Sequence, residues 1–448
     1  MKLELEKQVD KLRGPFASFV KAQTTASAFL LLALVAALII ANSPYAYELT
    51  ALQHLSFRLG IGERSFEWSF LHLVNDGLIA LFFFLIGLEI KRELVAGELR
   101  DLARVGLLLS AAMGGMAVPA GFYLAINANF DGGIVDGWGI PMATDTAIAI
   151  GVLASLGKRI SRSVVAFLVG VAILDDIGAI LVIAFVYTEQ LSWSAMSMAG
   201  LLMLWLLILN RAGFRHPFVY AVVGVGLWVA IVQSGIHASI AGVIVAATVP
   251  ARPRIKPATL KDEVKSAVSD LNPAADHKEV LADQEFHQQI VEVEKLAQEA
   301  TTPLRRWEEG LELPVVLLVL PLFAFLNAGV VIDASTLNRL LVEPVALGII
   351  IGLLFGKPIG ILAGVWLGIR LGFAKRPDEL SQRSLLGVGL LSGVGFTMST
   401  FIAHLALDPA SAILESAKLS IVVVSAIAAI IGYITLRFWT DEPREALN

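Results

Sequence analysis

The stretch VAILDDIGAIL, residues 171–181, places two adjacent acids inside an otherwise apolar run. The run continues on both sides, so Asp175 and Asp176 lie near the middle of a segment long enough to cross a bilayer. An ionisable side chain at that depth costs about 2.5–3.5 kcal/mol on insertion scales. Two such acids kept together indicate a membrane protein in which they have a function.

The composition of the whole chain supports a membrane protein. Of its 448 residues, 56% are hydrophobic and 16% are charged, whereas soluble domains carry about 25% charged residues. We therefore expect membrane lipid to cover much of the surface. The net charge of −5 provides no basic field, so no nucleic acid is expected as a partner. The absence of cysteine from the sequence excludes disulfides and thiolate metal sites.

Twelve apolar segments are predicted to be membrane helices. Basic residues concentrate in alternate loops, which by the positive-inside rule predicts a bacterial inner-membrane protein with both termini in the cytoplasm. The fold class predicted is an all-α polytopic membrane protein. The spans predicted are 24–42, 71–91, 103–125, 143–157, 164–187, 194–210, 217–233, 236–250, 314–332, 344–370, 385–406 and 413–436.

The predicted spans and the segments between and around them divide the chain into five regions. A charged linker is predicted to contain a soluble amphipathic helix, because Phe286, Ile290, Val293 and Ala297 recur at helical spacing. The alternatives are a solvated spacer for the linker and a disordered tail for the N-terminus. The regions are a cytoplasmic amphipathic segment (1–22), spans 1 to 8 (23–251), the cytoplasmic linker (252–312), spans 9 to 12 (313–437) and a cytoplasmic tail (438–448).

A β-hairpin is predicted over residues 53–70, outside the membrane. Apolar residues alternate in two short runs that are separated by Gly60-Ile61-Gly62, which is typical of paired strands. An apolar hairpin in water needs a covering surface, so we expect it to form a homodimer contact. The alternative is a hairpin that lies on its own subunit.

Two of the predicted spans are irregular. The fourth is short and follows Gly137, Gly139 and Pro141, and the eleventh is interrupted by glycines such as Gly393 and Gly395. Paired broken helices in two halves of a chain indicate a transporter binding site. Spans 3–5 and 10–12 are therefore predicted to be inverted repeats.

The adjacent acids point in different directions. Neighbours on a helix are about 100° apart, so one of Asp175 and Asp176 can face a cavity while the other faces a neighbouring helix. Two close carboxylates resist joint ionisation, and their oxygens suit a small hard cation. They could therefore exchange protons for a small cation. The alternative is a pair of protonated acids that joins two helices.

Three further polar residues are predicted to lie deep in the membrane. Asp145 and Thr144 follow Pro141 beside the break in span 4, where a carboxylate compensates the positive end of a helix. Lys357 lies in the middle of span 10 and needs a counter-charge, for which the deep aspartates are the candidates. The alternatives are a surface N-cap for Asp145 and a lysine that reaches an interface for Lys357.

Other titratable residues lie nearer the ends of spans. Asp76 either lines the outer half of the ion pathway or is an interfacial residue. The cluster of Glu89, Arg92 and Glu93 is either functional or an ordinary loop edge. His237 titrates in the range of a pH sensor, although a lone histidine is more often structural.

In their order and spacing, these motifs resemble the NhaA sodium/proton antiporters over residues 15–437. The motifs that carry the resemblance are Val74-Asn75-Asp76-Gly77, Gly87-Leu88-Glu89-Ile90-Lys91-Arg92-Glu93-Leu94, Ala143-Thr144-Asp145-Thr146-Ala147, Leu174-Asp175-Asp176-Ile177-Gly178-Ala179-Ile180, Pro321-Leu322-Phe323-Ala324-Phe325, Asn327-Ala328-Gly329 and Gly356-Lys357-Pro358.

The resemblance implies roles for these residues. Asp175 and Asp176 would bind Na⁺ and protons, and Asp145 and Lys357 would neutralise the crossed broken helices, with Lys357 paired to Asp175. The residues implied in the pH response are Glu89, Arg92, Glu93, Glu308 and His237. This chain has Glu309 and Glu312 where a relative has histidines, which affects the expected pH profile and not the transport.

We expect an electrogenic antiporter that exports sodium or lithium in exchange for protons and needs no cofactor. One alternative is an intramembrane aspartyl protease, although the sequence lacks the Gly-x-Gly-Asp context of such enzymes. A second alternative is a proton-coupled carrier of another solute. No nucleotide-binding loop occurs, which argues against an ATP-driven pump.

Overall fold

The structure is a computed structural model. It describes residues 15–61, 64–97, 102–188, 191–254, 259, 263–266, 284–377, 379–409 and 411–439. These residues form a mostly helical membrane protein with a small two-stranded sheet. The predicted fold class is confirmed at that level.

The first half of the chain begins with a helix that bends sharply, by 116°, into a shorter one. A short 3₁₀ segment, Val135–Met142, precedes α5. The elements are α1 (Pro15–Ala41), α2 (Ala46–Gln53), β1 (Ser56–Ile61), β2 (Arg64–Ser69), α3 (Phe70–Ala96), α4 (Leu102–Asn127), α5 (Thr146–Ser155), α6 (Arg162–Phe185), α7 (Trp193–Arg211), α8 (Pro217–Ser234) and α9 (Ile240–Thr248).

The second half contains the amphipathic helix predicted in the linker, which is α10. Two of its helices, α14 and α15, form a broken pair that bends by 46°. The elements are α10 (Gln284–Ala300), α11 (Pro303–Asn327), α12 (Ala334–Val342), α13 (Pro344–Arg370), α14 (Gln382–Ser392), α15 (Phe396–Ala406) and α16 (Ala412–Trp439).

The twelve predicted spans are not all matched by helices long enough to cross a membrane. Within the described residues, nine helices are long and apolar enough to cross a membrane, or up to eleven if each bent pair counts as one span. The missing candidate is α9, which has 9 residues where a span needs about 20. Its C-terminal end is capped by Lys91, whose Nζ donates to the carbonyl oxygens of Ala247, at 2.7 Å, and Val249.

Two helices extend across boundaries between the regions predicted from the sequence. Helix α11 begins at Pro303, inside the predicted linker, because the side chain of Thr302 caps it by accepting from the N–H of Arg305 at 3.3 Å. Helix α1 begins at Pro15 and continues without a break past residue 22. Most of the predicted N-terminal segment, much of the linker and nearly all of the tail lie outside the described residues.

The predicted hairpin is present as two antiparallel strands, with Phe57 opposite Trp68. The Trp68 ring lies 5.5 Å from the ring of Trp228 on α8, edge to face. Part of the hairpin therefore packs on its own chain. Leu55 and Phe57 remain 51% and 42% exposed, so an apolar surface is still available.

The core that positions the acids is built on close contact between α4 and α13. A methyl group added to Gly360 of α13 would lie 2.2 Å from the carbonyl oxygen of Gly114 on α4. The two backbones thus touch directly, as small residues allow in membrane helices. Helices α6, α14 and α16 pack around this pair. Helix α5 packs mainly on α1, and α15 packs on α16 and on the 3₁₀ segment.

Candidate ion-binding site

The two helix breaks meet at the centre of the protein. Residues 143–145 run in extended conformation before α5, and Gly393 to Gly395 separate α14 from α15. The Asp145 N–H donates to the carbonyl oxygen of Val394 at 2.6 Å, which joins one break to the other. The glycines of span 11 located the second break, whereas the first lies just after the Gly137–Pro141 stretch that predicted it.

Asp145 caps both of the half-helices that start at the crossing. Its Oδ1 accepts from the N–H of Ile148 in α5 at 3.1 Å, and its Oδ2 accepts from the N–H of Thr397 in α15 at 3.0 Å. The side chain is buried. A carboxylate here satisfies otherwise unpaired N–H groups and compensates two positive helix ends. Asp145 is therefore a deep, shared cap, and the surface N-cap alternative is wrong.

Asp175 is engaged by a buried cation. Lys357 Nζ lies 2.6 Å from Asp175 Oδ2, and both side chains are fully buried. The same oxygen lies 2.7 Å from the Thr144 hydroxyl, which also accepts from Lys357 Nζ at 3.1 Å. Thr144 lies 3.0 Å from the carbonyl oxygen of Ser392 at the end of α14. The pairing implied by the resemblance is present, and Lys357 does not reach an interface.

The local helix geometry places Lys357 at this point. A widened, π-helical turn, Gly352–Gly356, immediately precedes the lysine, and Pro358 follows it. Proline removes a backbone donor, and π-turns are frequent at functional sites. Gly356 packs against Pro119 of α4, where a methyl group would lie 2.8 Å from the Pro119 Cα.

Asp176 faces the other way, into a cavity of about 150 Å³. Asp145, Thr397 and Met398 also line this cavity. Asp176 Oδ1 is buried and has no hydrogen-bond partner among the described residues. Of the two adjacent acids, Asp176 is thus the one that a small ion in the cavity can reach, while Asp175 is held by Lys357.

A charged cluster forms the mouth of this cavity. Arg92 lies 3.0 Å from Glu93 and 2.9 Å from Glu308, which joins α3 to α11, and 3.8 Å from Glu89. The four residues implied in the pH response by the resemblance on this side are therefore brought together. Arg305, 3.7 Å from Glu308, was missed because the sequence analysis assigned it to the linker.

Asp76 and His237 lie elsewhere, at the hairpin side of the protein. His237 Nε2 is 3.4 Å from Asp76 Oδ1, and His72 Nε2 is 3.0 Å from Asp76 Oδ2. These residues line a separate cavity of about 560 Å³, together with His404 and Tyr187. The sequence analysis missed His72, although it stands four residues before Asp76 on the same helix face, and it also missed His404.

The arrangement can hold either a proton or a small cation. A carboxylate withdrawn from water is unstable unless it is paired or protonated. Each of the two acids has one buried oxygen without a hydrogen-bond partner among the described residues. The other oxygen of Asp175 is paired with Lys357, and Asp176 is the acid that lines the cavity. A proton or a hard monovalent cation would each satisfy Asp176, and the two cannot occupy the same oxygen at once.

Comparisons with known proteins give a consistent result. A family model described as Na⁺/H⁺ antiporter 1 matches residues 17–436. The Na⁺/H⁺ antiporter NhaA 1 of Shewanella denitrificans is 45% identical over 97% of this chain and 96% of its own length. The Na⁺/H⁺ antiporter NhaA 2 of Psychromonas ingrahamii is 44% identical over 97% of this chain and 91% of its own length.

Proposed function

We propose that this chain, which belongs to the Na⁺/H⁺ antiporter 1 family, exchanges sodium for protons across the bacterial inner membrane. The names of its relatives describe the same exchange of sodium for protons. It is a transporter and not an enzyme. The observation that carries the proposal is the cavity-facing Asp176, buried beside the crossing of two broken helices.

Competition at Asp176 couples the two fluxes. Asp176 taken alone is neutral when it holds a proton and charge-compensated when it holds Na⁺, but its charge is uncompensated when it is empty. Moving an uncompensated charge through a low-dielectric core is costly, so the site changes its access only when it is loaded. Lithium, which has the same charge and also prefers oxygen ligands, would compete for the same site.

Electrogenic exchange needs a second titrating group. Exchange at Asp176 alone moves no net charge, because one proton replaces one cation. The group in contact with the site that can supply a further proton is the Asp175–Lys357 pair, 2.6 Å apart. We propose that this pair opens when the cation binds, which releases a second proton. Protons then enter as the cation leaves, and the membrane potential drives export as a secondary active process.

The proposed transport cycle uses two structural repeats. A long helix, a broken helix and a long helix occur as α4, α5 and α6, and again as α13, α14–α15 and α16. Inverted repeats that cross at a binding site are typical of alternating-access transporters. If α9 is a short twelfth crossing, both termini would be cytoplasmic. The mouth of the Asp176 cavity, where Glu308 lies, would then open to the cytoplasm.

We propose that the mouth also makes the exchange dependent on pH. Arg92 joins α3 to α11 through Glu308, at 2.9 Å, and neighbours further acids, including Glu89. Protonation of these acids weakens the bridge, because the attraction to the guanidinium is lost. Cytoplasmic pH would thus act on the helices that border the cavity. His237 and Asp76 are proposed to lie on the outer part of the path.

The hairpin is the proposed dimer contact. Leu55, just before β1, and Phe57 on β1 are about half-exposed. Joining two such hairpins through their apolar side chains would remove both surfaces from water. Long apolar helices such as α7 also carry exposed apolar side chains, which we propose that lipid covers.

The aspartyl protease alternative is not favoured. That chemistry needs two carboxylates that face each other across one substrate. Here the two acids are neighbours on α6, and Asp175 is bound to Lys357 and Thr144. A cavity of about 150 Å³ also leaves little room for a peptide segment.

The test is exchange in reconstituted vesicles. Purified protein is placed in proteoliposomes with an internal pH dye, a proton gradient is formed, and sodium or lithium is added. We expect sodium-induced proton movement that is lost in Asp176→Asn and retained in Asp131→Asn, a matched change of an exposed loop acid. Full activity in Asp176→Asn would contradict the assignment. A rate that does not respond to an imposed potential would contradict electrogenic exchange.

A further inference from the structure

Helix α15 borders both the Asp176 cavity and the hairpin-side cavity that contains His237. Met398 lines the cavity that contains Asp176, and Leu405 lines the cavity on the hairpin side. The two residues are separated by about 10 Å along the helix axis, at 1.5 Å per residue. Only a short layer of protein therefore separates the ion site from the hairpin-side cavity.

Phe401 occupies this layer, between Met398 and Leu405. Its side chain is buried and meets three aromatic rings from other elements. The ring centroids of Phe83 on α3, Phe323 on α11 and His237 after α8 lie 5.5, 6.3 and 5.1 Å from it. Phe401 is thus the centre of an aromatic plug between the cavities, made by α15 and the helices that face it.

Polar contacts in the hairpin-side cavity brace the plug. The imidazole of His237 stands edge-on to Phe401, at 86°. Its Nδ1 is 3.0 Å from the Ser239 hydroxyl, and its Nε2 is 3.4 Å from Asp76. Both ring nitrogens are thus held, which fixes the imidazole against the phenylalanine. The N-terminal end of α15 is fixed separately, through Thr397 and Asp145.

We infer that Phe401 is the residue that closes the ion site toward the hairpin side, and that the His237–Asp76 contact keeps it in the closed position. This inference deepens the proposed function, because an antiporter must keep one side closed while the other is open. The phenyl ring has no oxygen atom, so Phe401 would act as a barrier and not as a ligand of the ion.

The natural sequence has no cysteine, so a single introduced thiol can report access to the cavity. Ala147→Cys places a thiol in the lining of the Asp176 cavity. A membrane-impermeant cationic methanethiosulfonate reagent is added to sealed vesicles from one side at a time. Leu55→Cys, on the exposed hairpin, marks the vesicle face that carries the hairpin.

With Phe401 intact, we expect reagent from the hairpin face to label Leu55→Cys readily and Ala147→Cys barely. Adding Phe401→Ala should raise the hairpin-side labelling rate of Ala147→Cys at least tenfold. Labelling from the opposite face should change little. The matched control is Phe325→Ala, a partly buried phenylalanine of α11, which should leave both rates unchanged.

His237→Gln tests the brace. It should raise the hairpin-side labelling rate of Ala147→Cys, but by less than Phe401→Ala, because the plug remains and only its support is weakened. An unchanged rate would show that His237 does not hold the plug. An unchanged rate in Phe401→Ala would overturn the whole inference.

Two features keep the test decisive. If Phe401→Ala does not fold, as judged by size-exclusion chromatography, Phe401→Leu replaces it, with a smaller rise expected and an unchanged rate again contradicting the inference. The labelling needs no ion gradient and no transport. Failure of the proposed exchange and failure of the proposed barrier are therefore separate results.

Discussion

Replacing Asp145 by asparagine tests whether one carboxylate stabilises two broken helices at once. In the structure, its two oxygens accept from the N–H groups of Ile148 and Thr397, at 3.1 and 3.0 Å. Asparagine has nearly the same shape but offers one acceptor oxygen and one NH₂ group. One of the two buried N–H groups must therefore lose its acceptor.

The expected loss of stability follows from these contacts. A buried donor left without a partner costs about 1–3 kcal/mol. Loss of negative charge beside two helix N-termini costs about 0.3–1 kcal/mol for each helix. Asparagine also avoids the cost of burying a charge. We therefore expect the free energy of unfolding to fall by roughly 2–3 kcal/mol.

The assay is thermal unfolding in detergent, followed by the fluorescence of the 8 tryptophans. The matched control is Asp333→Asn, because Asp333 also caps a helix, α12, and accepts from the N–H of Thr336 at 2.7 Å. That cap is exposed and serves a single helix. Asp145→Asn should lower the Tm by several degrees and by clearly more than the control. Equal shifts for the two variants would refute the shared-cap argument.

Three more predictions follow from contacts described above. Lys357→Met and Asp175→Asn should each destabilise the protein by about 3–5 kcal/mol. In thermal unfolding, the double variant should lose less stability than the sum of the two single losses. Additive losses would show that the two residues are not coupled. Gly360→Ala should cost about 1–3 kcal/mol of stability by overpacking. Gly121→Ala should leave the Tm unchanged, because a methyl group added there would meet no atoms within 4 Å. Equal shifts in Tm would contradict the close approach of α4 and α13. If the proposed dimer forms through the hairpin, Phe57→Glu should convert it to a monomer in light scattering. A dimer that persists in this variant would locate the contact elsewhere.

The central acids could be predicted from the sequence because charge in a membrane is expensive. Asp175, Asp176 and Lys357 interrupt apolar runs, and that placement alone predicts partners and a cavity. The divergence of the two adjacent acids follows from helix geometry, and the structure places one on Lys357 and the other on the cavity. The glycines of span 11 likewise marked the break before Phe396.

Contacts between distant parts of the chain could not be predicted in this way. Asp145 and Thr397 are joined by a hydrogen bond, but they are 252 residues apart, and nothing in either segment specifies the other. Arg305 was assigned to the linker because the first turns of α11 are charged. Helix α9 was predicted as a full span because hydropathy does not reveal where a helix ends, and Lys91 caps that end.

The direct backbone contact of α4 with α13 limits which parts of the protein can slide. No layer of side chains separates Gly114 from Gly360, so no rotamer change is available there to absorb a shift. Shear between packed helices relies on such small side-chain adjustments. These two helices must therefore travel as one rigid body. Relative motion is left to interfaces that are filled with large side chains, such as the one between Phe83 and Phe401.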